Sequence, residues 1–150
     1  MAMYAITETY SVSPQIGPED VAAIKAAGFT TLICNRPDDE VPPGLRAADF
    51  EALALAEGLA FVVVPVSHYG LTLDIVAQHG AAVTGASGPV LAYCNSGNRS
   101  TMIWALAMAH AGTVSPDEIA AVTRNAGFDM SGMRPTLDAL WQQAQAKGQE

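Results

Sequence analysis

Cys94 and Arg99 are the residues of this chain whose types and spacing point most directly to chemistry. A thiol and a permanent cation are separated by Asn95, Ser96, Gly97 and Asn98, and Ser100 and Thr101 follow. The thiol closes an apolar run, Pro89-Val90-Leu91-Ala92-Tyr93, and a long apolar helical pattern begins directly after Arg99. This order predicts a cysteine at the carboxyl tip of a buried strand, in a loop that curls into a helix N-terminus. Backbone N–H groups converge at such a point, and the helix dipole adds about half a positive charge, so an anion is stabilised there. A cysteine reacts as its thiolate, which these surroundings favour. Arg99 brings a planar fork of donors. The implied chemistry is group transfer through a covalent Cys94 intermediate. Arg99 serves as the anion clamp, and Asn95, Ser96, Gly97, Asn98 and Ser100 form the cradle.

The elements that must hold this loop are legible as alternating apolar runs and helical patterns. Tyr10 to Val12 reads as a short strand. Pro18 to Ala27 reads as a helix, with proline at its first position, Glu19 and Asp20 in its first turn and Gly28 just past its end. A strand over about Thr31 to Asn35 leads into the polar loop Arg36-Pro37-Asp38-Asp39-Glu40, and Leu45 to Glu57 repeats the helix pattern. Phe61 to Val64 is continuous and rich in valine, which predicts a strand covered on both faces. Further helices are predicted over Leu71 to Thr84, Ser100 to Ala111, a capped segment from Ser115-Pro116-Asp117-Glu118 to about Asn125, and Arg134 to Ala146. Strands alternating with helices imply an α/β fold in three layers, a mostly parallel sheet flanked by helices. Ligands collect at the carboxyl ends of such strands, where Cys94, Arg36 and His68 all fall.

Whole-chain properties narrow the partners. At 150 residues the chain suits one domain, residues 1–150, with a real core. The formal net charge of −8, with seven Lys and Arg scattered along the chain, excludes the basic stripe that nucleic acid requires. The sequence has no apolar segment of membrane-spanning length and no secretory pattern at Met1-Ala2-Met3-Tyr4, so a cytoplasmic protein away from membranes is expected. No cofactor or metal is expected either, since Asp38-Asp39-Glu40 has no histidine beside it and reads as a solvated turn. Two cysteines do not make a disulfide scaffold. Cys34 reads as a core residue of its strand, with a role as resolving thiol open only if the fold brings it to Cys94. His79 and His110, on helices, read as surface or packing residues.

The Cys94-to-Ser100 loop resembles the phosphate-binding loop of cysteine-dependent phosphatases. Taken with Tyr10-Ser11-Val12-Ser13-Pro14-Gln15-Ile16, Pro18-Glu19-Asp20-Val21, and Ala27-Gly28-Phe29 through Asn35-Arg36-Pro37-Asp38, the chain resembles the phosphatase-like domain family of beta-lactamase-hydrolase-like proteins. That resemblance implies a dual-specificity-phosphatase-like fold, and it implies either phosphatase or sulfur-transfer chemistry. Three departures bear on the choice. Four residues separate Cys94 from Arg99 where the phosphatases have five, a length shared with rhodanese-type sulfur transferases. Tyr93 replaces the histidine before the phosphatase cysteine. The loop Pro65 to Gly70 lacks the usual acidic proton donor, leaving His68, or Asp38 from the neighbouring loop, as the candidate general acid.

Sulfane-sulfur transfer needs no separate acid and only one atom on the cysteine, so the sequence places it first, with a small anionic sulfur donor and a thiol acceptor. Phosphate-monoester hydrolysis is the alternative, and it needs a cradle for three oxygens and an acid for the leaving group. A non-catalytic module sensing anions or polysulfides is a third reading. Arg36 either binds substrate or pairs with Asp38 or Glu40 to hold its loop. The oligomeric state has no signature in the sequence.

Overall fold

A computed structural model of the chain describes residues 1–68 and 70–148. Five strands form one sheet in the order β1-β2-β5-β3-β4: β1 (Tyr4–Ala5), β2 (Tyr10–Ser13), β3 (Thr31–Cys34), β4 (Ala60–Val63) and β5 (Val90–Tyr93). Strands β2, β5, β3 and β4 run parallel, and β1 folds back antiparallel on β2. The helices between them are the crossovers that parallel strands need. Helices α1 (Asp20–Ala26) and α2 (Ala47–Ala56) cover one face, burying Val21, Ile24, Phe50 and Ala54 against Leu32, Leu91 and Tyr93. On the other face lie α3 (Leu73–Thr84), α4 (Asn98–Ala111), α5 (Pro116–Asn125) and α6 (Arg134–Gly148). Their core joins Val76, Ile103, Trp104, Ile119 and Leu137 to Tyr10, Val12, Ile33 and Ala92 of the sheet.

The three-layer arrangement and the buried α4 follow the sequence expectation, and Ser115 Oγ caps α5 by accepting from Glu118 N at 3.2 Å. Two features differ. β4 is an edge strand with Ala60 and Val63 exposed, not a strand covered on both faces. A continuous apolar run marks high strand propensity, but it does not say whether a neighbour lies beyond. The two-residue β1 is too short to carry a periodic signal. Single 3₁₀ turns at Asp38–Glu40 and Ser131–Met133 complete the described chain. No helix among the described residues is long and apolar enough to cross a membrane.

Candidate active site

Parallel pairing brings the carboxyl ends of β2, β5 and β3 to one edge, and the Cys94 loop is sewn to both neighbours of β5. Cys94 N donates to Ser13 O at 3.4 Å, Gln15 N donates to Asn95 O at 3.1 Å, and Asn35 N donates to Tyr93 O at 2.8 Å. The loop then turns at Gly97, whose φ of +94° is a left-handed conformation that side chains disfavour. A Cβ there would also lie 3.2 Å from Phe128 Cζ and 3.5 Å from Val12 Cγ2. This turn aims Gly97 N–H at Cys94 Sγ, 3.1 Å away, and starts α4 at Asn98. The thiol is thus buried, accepts a backbone hydrogen bond and lies at the positive end of a 14-residue helix.

Arg99 is buried beside it and held by Glu40. Nη1 donates to Glu40 Oε2 at 2.8 Å and to Val66 O at 2.8 Å, and Nη2 donates to Glu40 Oε1 at 2.7 Å. The carboxylate therefore occupies the terminal fork of the guanidinium. Among the described residues the side-on fork, Nε–H with the outer Nη2–H, has no partner, and it has the geometry to take two oxygens of a further oxyanion. Hydrogen bonding to Arg99 holds the Glu40 carboxyl below its usual range, with further help from Arg36 and from the charge of nearby His68. The same pair raises Arg99.

The remaining sequence candidates divide. Arg36 comes to the site but spends its donors on the turn beneath it: Nε bonds Glu40 Oε1 at 3.4 Å, Nη2 bonds Glu40 O at 3.3 Å and Nη1 bonds Gln15 Oε1 at 3.1 Å. This is the loop-holding arrangement. Asn95, Ser96 and Asn98 are exposed on the loop, with Ser96 Oγ accepting from Asn98 N at 3.3 Å. Ser100 points inward, fully buried, and gives its proton to Asn35 Oδ1 at 2.8 Å, so its hydroxyl faces away from a substrate. Asp38 is not aimed at the thiol. Its Oδ1 accepts from Ala47 N at 2.8 Å and caps α2, which gives it a structural role in place of the acid role. His68 is exposed at the rim, close enough to Glu40 to act on its charge. Tyr69 beside it lies outside the described residues.

Cys34 pairs in register with Tyr93 and packs with it under α1 and α2. Burial raises the Cys34 thiol, which donates to Arg36 O at 3.4 Å. Cys94 follows just past the end of β5, near enough for its charge to add to the raising of Cys34. Arg134, on α6, binds Asp117 at 2.6 Å and Asp138 at 2.8 Å, joining α5 to α6.

Behind the loop lies a group that the sequence did not reveal. Tyr10 OH donates its single proton to Ser100 O at 2.8 Å, so at His79 Nε2, 2.9 Å away, it accepts. His79 therefore carries its proton on Nε2, which leaves Nδ1 to accept from Asn35 Nδ2 at 3.3 Å. Asn35 Nδ2 also donates to Val64 O at 2.9 Å. Burial pushes His79 down to about 3, so it stays neutral, and Tyr10 is raised by burial and by the nearby Cys94 charge. His79 is a packing residue, as its helix position suggested, but one with both ring nitrogens bonded. Phe128 is a second addition, closing on Gly97 from beyond α5 and meeting Tyr4 edge-on. Each of these contacts spans dozens of residues, so local pattern carries no trace of them.

A buried cysteine in a backbone cradle at a strand-to-helix turn, with an arginine from the first helical turn, on a sheet of this order, defines the cysteine-dependent dual-specificity and protein-tyrosine phosphatase-like fold class. Residues 2–111 match the family model described as beta-lactamase hydrolase-like protein, phosphatase-like domain, and the chain belongs to that family. It is 32% identical over 132 residues to a beta-lactamase hydrolase-like protein of Xylella fastidiosa, covering 87% of this chain but only 30% of the relative's length. A crystal structure from Neisseria meningitidis, described as that of a candidate phosphatase, is 30% identical, with a TM-score of 0.78 over 93% of this chain and 99% of that one. A cysteine-to-serine form of Pseudomonas aeruginosa TpbA in complex with phosphotyrosine shares the fold, with 17% identity and a TM-score of 0.60 over 95% of this chain and 89% of that one.

Proposed function

We propose that this domain hydrolyses phosphate monoesters through a phosphocysteine on Cys94. The observation that carries the reading is the side-on fork of Arg99, which has no partner among the described residues, beside a thiol already hydrogen-bonded by Gly97 N–H. A phosphoryl group on Cys94 presents equatorial oxygens at that spacing, whereas the persulfide left by sulfur transfer presents none. In the first step the thiolate attacks phosphorus and the bond to the leaving oxygen breaks. His68 at the rim donates the proton that this oxygen needs. Water then cleaves the S–P bond, releasing inorganic phosphate and restoring the thiolate. The family match and the phosphatase-described Neisseria relative support this order of preference, which reverses the one that the short loop and the missing acidic residue suggest in the sequence.

Sulfane-sulfur transfer keeps one specific observation in its favour, the four residues between Cys94 and Arg99. Purified protein incubated with an aryl phosphate or phosphotyrosine, and separately with thiosulfate, separates the two. We expect phosphate release, a Cys94 adduct of phosphoryl mass on rapid quench, and at least a roughly 10³-fold loss in Cys94→Ser. Persulfide on Cys94 with no phosphate release would reject the proposal.

A further inference from the structure

Asn35 stands just past β3 with no exposed surface, and none of the chemistry above uses it. Yet each of its polar groups is bonded to part of the site. Its backbone N–H donates to Tyr93 O, next to Cys94, at 2.8 Å, and its carbonyl accepts from Val66 N at 2.8 Å. Its side-chain oxygen accepts from Ser100 Oγ at 2.8 Å, and its amide nitrogen reaches Val64 O and His79 Nδ1. Two of these paths lead to Arg99. Ser100 is the next residue in the first turn of α4, and Val66 O accepts from Arg99 Nη1 at 2.8 Å. One residue thus makes both ties: its side-chain amide holds Ser100 in the turn from which Arg99 springs, and its backbone carbonyl holds Val66, whose oxygen receives the end of the Arg99 side chain.

We propose that Asn35 is a positioning residue: through Ser100 and Val66 it sets where the Arg99 fork stands relative to Cys94. This rests on the anion-clamp role given to Arg99 above. The surroundings of Asn35 suit the task. With Tyr10, His79 and Ser100 matched donor to acceptor, the side chain has no alternative partner to turn toward, and a displaced guanidinium by about 1 Å costs on the order of 10²-fold in a preorganised site.

The test uses the affinity of the intact protein for inorganic phosphate, measured by calorimetry, in the native and Arg99→Lys backgrounds. Asn35→Ala weakens phosphate binding at least tenfold in the first and less than twofold in the second, because in the second there is no fork left to position. Ser100→Ala, which cuts the hydroxyl contact but leaves the Asn35 amide on Val64 O and His79, gives a loss of about threefold that is likewise absent with Arg99→Lys, and it decides the matter if Asn35→Ala does not fold. Equal losses in both backgrounds, or unchanged affinity in Ser100→Ala and Asn35→Ala, would overturn the proposal. Phosphate binding by the native protein without ester turnover would reject the hydrolytic reading alone, and no phosphate binding at all would reject both.

Discussion

At the scale of single residues, the nucleophile and its clamp were readable because they are neighbours in sequence. A strand end, a glycine and a helix start fix the surroundings of Cys94 within a few positions, so local pattern suffices. Glu40, 59 positions before Arg99, was legible only as a partner for Arg36, because its meeting with the clamp depends on β3 and β5 lying side by side. That meeting changes what Arg99 can do, since it commits the terminal fork and leaves the side-on one. Arg99→Lys tests this division. Lysine keeps the charge and one contact to Glu40, but it cannot offer two parallel donors. Loss of such an oxyanion contact predicts a fall in kcat/KM of about 10²–10³ on aryl phosphates, with Cys94 still open to alkylation. A fall of less than about fivefold would mean that charge, not the fork, is what matters.

At the scale of elements, most helices and strands lie within two or three residues of their predicted ends, since the caps and glycine stops are local signals. The edge position of β4 and the antiparallel β1 were not legible, because strand order is decided by which faces the helices cover. Asp38 shows how element context reassigns a residue. Sequence offers it, beside His68, as a candidate acid, whereas the chain reverses through the Asp38–Glu40 turn and brings its carboxylate to Ala47 N at the start of α2. A capping role predicts that Asp38→Ala costs about 1 kcal/mol of stability in urea unfolding and leaves turnover within twofold of native. Loss of proton donation to the leaving oxygen, seen as a drop of about 10² or more restricted to esters with poor leaving groups, would restore the acid role to Asp38.

At the scale of the whole molecule, the buried group behind the loop links acid stability to the site. His79 is joined to Tyr10 on β2 and to Asn35 after β3, and burial holds it down to about 3 in the folded chain. In the unfolded chain an exposed histidine titrates near 6.5. Between those values the unfolded state carries a proton that the folded state refuses, so stability rises with pH through this window and falls as pH drops from about 6.5 toward 3. The loss approaches about 1.4 kcal/mol per pH unit, or roughly 2 kcal/mol between pH 6.5 and 5. Glu40 acts lower: its folded value is depressed, so its contribution is intact above the unfolded carboxylate range near 4.3 and is lost only as pH falls through the folded value below that. The interval from pH 6.5 to 5 therefore isolates His79 from the Glu40 pair. His79→Gln keeps an amide able to bond Tyr10 or Asn35 but cannot titrate. Urea unfolding should find this variant less stable than native at pH 7 and its stability falling by about 2 kcal/mol less between pH 6.5 and 5. An equal pH slope in the two proteins would show that the proton taken up on acid unfolding goes elsewhere, and that the network behind Cys94 does not depend on a neutral imidazole.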